Sequence, residues 1–208
     1  MKDKLSFSIV VFNLIFSSLL AVFILQLLFL SSCMTSAKAL PKFSYESLRF
    51  IVYGSSSENG VDTVSAKITI MDTAGNEIST IERSWPGSYL SFDFLRADFD
   101  SKKYYFPYRV RGINTIIEKP ASSFRNRHKG SNLYPYFMEN GECILYSGEE
   151  GYSVRQGLYK IARFASRPLF FKYSKYVRLL SIDLSRCESG YYYSLFVNEE
   201  GDIEIKKQ

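Results

Sequence analysis

The chain carries one imidazole, His128, set between Arg127 and Lys129. Imidazole is well suited to taking up and returning a proton near neutral pH, but two adjoining cations lower its pKa and no carboxylate neighbours it to orient the ring. A Ser-His-Asp arrangement would need its acid brought from a distance in the fold, and neither G-x-S-x-G nor S-x-x-K marks a serine nucleophile. Glu142, Glu149 and Glu150 surround the short run from Cys143 to Tyr146, and paired carboxyls are what glycoside hydrolysis uses. That reaction needs both groups facing one cleft, whereas acids beside one another in a glycine-containing turn point apart into water. Asp93, Asp98 and Asp100 gather oxygens in a spacing that matches no EF-hand loop, and one histidine with three cysteines falls short of a Cys/His zinc set. These residues assign no catalytic group, no metal and no cofactor.

The thiols say more. Leu30-Ser31-Ser32-Cys33 closes an uncharged apolar run that begins after Lys2 and Lys4. The tetrad resembles the lipobox of bacterial lipoproteins, in which a branched apolar residue and two small ones precede a Cys that is lipidated and becomes the mature N-terminus. The resemblance covers residues 1–33 and implies a signal peptide or anchor over 1–32, lipidation at Cys33 with acyl chains such as palmitate, a tether over 33–40 and an exported domain over 41–208. Two other endings stay open. Ala37-Lys38-Ala39 offers the small-x-small site of ordinary signal cleavage, and the run from Ser6 to Leu30 exceeds both the usual 7–15 residues of a signal core and the roughly 20 that span a bilayer. All three endings place residues 41–208 outside the cytoplasmic membrane, in the cell envelope. With Cys33 taken as lipid carrier, Cys143 and Cys187 remain, and an even remainder in an exported chain predicts one disulfide, worth roughly 4 kcal/mol through loop closure.

Asp72-Thr73-Ala74-Gly75-Asn76-Glu77 looks like the switch motif of small GTPases, where an Asp reaches Mg²⁺ through water. That chemistry also needs a phosphate cradle, and no G-x-x-x-x-G-K-[ST] occurs in the chain. An aspartic protease would need Gly in place of Ala74 and a second equivalent loop to share one proton. The same residues are what a hairpin turn requires.

The elements that would position these groups are mostly strands. Sixteen Tyr and 17 Phe favour pleated, half-buried surfaces. Over Val61 to Met71, Val64, Ala66, Ile68 and Ile70 alternate with Ser65, Lys67 and Thr69, and after the Asp72–Asn76 turn Ile78 and Ile81 resume an extended run, which predicts a hairpin. Ser91–Leu95, Tyr104–Val110 and Ile113–Glu118 read as further strands, with turns at Pro86-Gly87 and Asp98–Ser101. The stretch from Pro120 to Ser131 reads as a linker that would divide 41–120 from 131–208. Ser153-Val154-Arg155-Gln156 opens a helix whose face is Val154, Leu158, Ile161 and Ala165, ended by Pro168. Leu169–Tyr173, Tyr176–Leu184 and Tyr191–Asn198 look extended, and Glu199-Glu200-Gly201 turns the last hairpin into Ile203 and Ile205. The expected fold is mainly β, a sandwich of immunoglobulin-like or fibronectin-like character with one short helix in the C-terminal half.

Charge is uneven. Residues 46–100 hold nine acids against four bases, 101–129 hold eight Lys or Arg against Glu118, and 155–186 hold eight against Asp183. Basic residues interleaved with aromatics can grip an anionic polymer, and Tyr104, Tyr105, Tyr108, Arg109, Arg111, Tyr191, Tyr192 and Tyr193 are the candidate ligand-binding residues. For an exported chain the partners would be the membrane, an anionic envelope polymer, lipid headgroups or another envelope protein, and not nucleic acid. The expected function is a lipid-anchored, non-enzymatic binding or structural module. The alternative is a membrane-tethered hydrolase of envelope polymers using His128 or a carboxylate pair.

Overall fold

A computed structural model describes residues 2–40, 42, 44–114, 130–146, 151–166 and 176–208. The uncharged N-terminal run forms one helix, α1 (Lys2–Ala39), long and apolar enough to cross a membrane. Five strands follow: β1 (Tyr45–Glu58), β2 (Val61–Met71) and β3 (Glu77–Pro86) pair in succession, and the chain then crosses to a second sheet for the hairpin of β4 (Tyr89–Phe99) and β5 (Lys102–Ile113). Short strands β6 (Ser131–Asn132), β7 (Met138–Glu139) and β8 (Glu142–Cys143) lead to α2 (Gly151–Ser166), and β9 (Val177–Asp183), β10 (Tyr192–Val197) and β11 (Ile203–Lys207) complete the described elements. The fold is mainly β. Sheet one has the order β11-β10-β1-β2-β3, sheet two β6-β5-β4-β9, and β7 pairs with β8; every pairing is antiparallel.

Alternation explains the layers. Val64, Ala66, Ile68 and Ile70 of β2 are buried, as are Leu48, Phe50 and Val52 of β1, so sheet one turns one face to the core. β4 is buried on both sides: Phe92 meets Phe50 of sheet one at 5.4 Å, and Phe99 meets Phe164 of α2 at 5.6 Å. Sheet two is therefore the middle layer. One buried cluster joins residues from Cys33 to Val197, drawing on both proposed halves of the chain.

The α2 face expected from Val154, Leu158, Ile161 and Ala165 is the buried face, with Gly157, Ala162 and Phe164 added. Three expectations need correction. The described residues hold two α-helices and a 3-10 turn at Tyr134–Tyr136, and α1 does not end at the apolar run: residues 33–39 continue it, with Cys33, Ala37 and Leu40 in the core where a tether was expected. The break expected between Val110 and Ile113 is absent, because β5 runs through it. Gly112 serves a close crossing there, where an added Cβ would lie 2.1 Å from the Pro86 carbonyl oxygen. β1 was not anticipated. The 120–131 linker up to residue 129, residues 115–118 of the expected Ile113–Glu118 strand, Pro168 and Leu169–Tyr173 lie outside the described residues.

Candidate functional site

The eight residues singled out as a recognition surface do not form one. Tyr104 is buried and donates its hydroxyl to the Ala37 carbonyl at 3.1 Å. Tyr105, also buried, donates to the Gly201 carbonyl at 2.7 Å while its own carbonyl accepts from Tyr45 at 3.0 Å, which pins the β10–β11 turn onto sheet two. Burial raises the pKa of both phenols, and both serve as fixed neutral donors. Tyr193 is buried, its ring stacked on Phe50 at 5.6 Å. Alternation along a strand required some of these rings to point inward; the periodicity alone did not say which.

Arg109 and Arg111 belong to an interior ion cluster. Arg109 donates from Nε and Nη2 to Asp93 Oδ2 at 2.9 and 2.7 Å, Ser181 donates to Oδ1 at 2.5 Å, and Arg111 Nε stands 3.5 Å from Oδ2. Asp93 and the Arg109 side chain are 1% and 5% exposed, so this cluster ties β5 and β9 to β4 and is closed to a polymer. Tyr108 is the extra residue of the β5 bulge, where Asp93 pairs with Arg109 and Phe94 with Pro107, and the Arg109 guanidinium lies over its ring at 5.6 Å. Only Tyr191 and Tyr192 are exposed, at 48% and 47%.

Tyr192 lies on the outer face of sheet one, beside a depression of about 260 Å³ lined with Arg49, Phe50, Lys67, Thr69, Glu77 and Gln208. Strand periodicity puts Arg49 and Lys67 there, on the side of β1 and β2 opposite the core residues. Arg49 holds Glu46 in a two-point pair at 3.0 and 2.7 Å; Ser194 also donates to Glu46, and the Gln208 side-chain amide reaches Ser194 Oγ at 2.6 Å. Burial works to raise the Glu46 pKa, but the hydrogen bonds from Arg49 and Ser194 outweigh it and hold it below the usual carboxylate value. Lys67 makes no ion pair among the described residues. Lys207 Nζ lies 3.5 Å from the Tyr191 ring centre, and Lys206 Nζ 4.1 Å from that of Phe196. Hydroxyl pairs Ser65–Ser84 at 2.6 Å and Thr69–Thr80 at 3.1 Å cross from β2 to β3. This face can stack on and hydrogen-bond a ligand. Arg49, Lys67 and Gln208 were missed as its members, though alternation along β1 and β2 was the signal for the first two.

The remaining candidates separate. Asp72 Oδ1 accepts from the amides of Ala74 at 2.9 Å and Asn76 at 2.7 Å, an Asx turn closing the β2–β3 hairpin. Asp98 accepts from Arg96 at 2.7 Å, Asp100 sits in the β4–β5 turn at φ 50, and Asp93 is in the cluster, so these acids do not converge. Glu142 accepts from Arg155 at 2.6 Å. His128, Glu149 and Glu150 lie outside the described residues. Among the described residues no group of three or more His, Cys, Asp or Glu is placed to hold a metal ion.

The expected disulfide is not made: Cys143 and Cys187 are free thiols, one buried and one half-buried, and burial raises their pKa values to about 12 and about 11. Cys33, the expected lipidation site, is fully buried, with Sγ 3.5 Å from the Lys160 carbonyl oxygen. Around it α1 docks on α2: Phe29 meets Phe164 at 6.1 Å, and a Cβ on Gly157 would meet Ser36 and Leu40 at 3.5 and 3.6 Å. Lys102 then caps α1, its ammonium reaching the carbonyls of Ala37, Lys38 and Leu40 at 3.1, 3.2 and 2.6 Å, where a cation meets the negative end of the helix dipole. No family model, curated protein or solved structure matches this chain.

Proposed function

We propose that the chain is a membrane-tethered, non-enzymatic binding module of the cell envelope, in which α1 holds the β domain at the membrane and the outer face of sheet one meets an anionic envelope polymer. The one-sided burial of α1 carries the reading. Val10 to Leu25 have exposed side chains, nearly all apolar, while Cys33 and Ala37 of the same helix, and Leu40 just after it, are core residues. An apolar rod joined to a folded domain through that domain's own core suits a tether.

The layers support this choice of face. The helices pack on sheet two, so the outer face of sheet one lies on the opposite side, with Tyr192, Lys67 and the exposed Ser65–Ser84 pair open to a chain lying across the strands. The contact between Phe50 and Phe92 supports a sandwich character for the body.

Alkaline extraction of membranes from cells expressing the full chain tests the tether: the protein stays in the pellet, and deletion of residues 2–25 releases it. Release of the intact chain would overturn the reading. For the face, retention on an anionic polysaccharide column should fall about tenfold for the Tyr192→Ala, Lys67→Glu pair with no change in melting temperature, and unchanged retention would reject the polymer.

A further inference from the structure

We infer that α1 is retained as an uncleaved membrane-spanning helix, and that Leu30-Ser31-Ser32-Cys33 is a helix-packing segment instead of a lipidation site. The inference rests on the tether reading and specifies its chemistry.

The helix divides into two parts by what surrounds it. Gln26, Phe29, Leu30, Cys33, Ser36, Ala37 and Leu40 are buried or half-buried, and their spacing of three and four residues draws one stripe along α1. That stripe lies on α2, which runs antiparallel to it: Phe29 is beside Phe164, Cys33 beside Lys160, and Ser36 and Leu40 beside Gly157. Between Val10 and Leu25 no stripe exists among the described residues, and these side chains are exposed on all sides. The uncharged run from Leu5 to Leu25 is 21 residues. At about 1.5 Å per residue it is about 30 Å long, the thickness of a bilayer's hydrocarbon core. Lys2 and Lys4 at its start set the N-terminus on the cytoplasmic side. The occupant of this apolar surface is lipid.

Lipidation asks for the opposite arrangement. A thioether forms only if the Cys33 sulfur is open to the lipid donor, and removal of residues 1–32 then requires an accessible peptide bond between Ser32 and Cys33. Here the sulfur is wholly buried between two helices, the bond lies inside a helix, and the turns that follow are held by Lys102 and Tyr104. A diacylglyceryl group on Sγ has no room while Gly157, Ser36 and Leu40 remain in contact. The mature chain would keep residues 33–40, but an acylated Cys33 would have to leave the core it shares with Ala37 and Leu40.

Intact mass of the full chain extracted from the membrane fraction of cells fed an alkyne fatty acid decides the point, together with maleimide mapping of the native protein. Retention predicts a mass that still includes residues 2–32, no alkyne incorporation, and a Cys33 that labels in the native protein at least tenfold more slowly than Cys187. A membrane-bound chain beginning at an acylated Cys33 overturns the inference and leaves the tether reading standing. A soluble chain beginning at Leu40 overturns both. Cys33→Ala, if it folds, stays membrane-bound and unprocessed in the same amount as the parent; accumulation of a longer precursor specific to that variant would count against retention.

Discussion

Replacing Asp93 by Asn should be among the most damaging single polar substitutions in the chain. It leaves Arg109, with 5% of its side chain exposed, and Arg111, at 18%, without the carboxylate that both face, and Ser181 without its charged acceptor. Removing one partner of a buried ion pair costs about 3–5 kcal/mol, because the remaining charge stays desolvated. At about 2–4 °C per kcal/mol for a domain of this size, the melting temperature falls by roughly 6–20 °C. Trp85 is a built-in reporter: it is 2% exposed and its indole donates to Ser131 at 3.0 Å, so its emission shifts to the red as the sheets part. The Asp93→Leu, Arg109→Met double variant recovers part of the loss, since well-packed apolar residues can replace a buried pair. A melting temperature for Asp93→Asn within about 2 °C of the parent would refute the reasoning. The two arginines would then be solvated, and their exclusion from ligand binding would lose its basis.

Other outcomes follow from single contacts. Lys102→Ala removes a cation from three carbonyls at the end of α1, at about 1–2 kcal/mol, and raises the rate of native Cys33 labelling roughly 5–30-fold. Gly112→Ala forces a Cβ toward the Pro86 carbonyl oxygen at 2.1 Å and costs about 1–3 kcal/mol or more, read as a lower melting temperature or lost yield. Glu46 has a depressed pKa, so its pairing adds stability that is complete above its ordinary value of 4.5 and is lost as pH falls through the lower folded value. Glu46→Gln therefore flattens the acid side of the stability profile, and a parallel slope would contradict the network with Arg49 and Ser194. Denatured without reductant, the chain should expose both Cys143 and Cys187 to alkylation; protection of the two together would restore the disulfide.

Where one face of an element is wet and the other dry, the sequence was readable. β2 and the first hairpin follow from Val64 to Ile70 and the Asp72 turn, and α2 from the spacing of Val154, Leu158, Ile161 and Ala165. β4 carries no alternation because both its faces are covered, which also hid Asp93 among apolar neighbours. Gly112 reads as punctuation until Pro86 is seen to press on it. Counting cysteines does not place Cys143 beside Cys187, since parity says nothing of position or burial. In sequence Cys33 belongs to the end of the apolar run; its stripe with Ala37 and Leu40 is visible only against α2. Tyr104 and Tyr192 are chemically alike in sequence, and register alone separates an interior donor from a surface ring.

Hydrogen exchange on the full chain in lipid nanodiscs tests most directly whether α1 and the domain are one body. The joint made by Cys33, Ala37, Leu40, Lys102 and Gly157 predicts that amides of residues 33–39 exchange as slowly as those of β4, and that Gly157→Leu accelerates both the joint and α2. Exchange of residues 33–39 within seconds in the parent protein, while β4 stays protected, would show a loose tether and contradict the account.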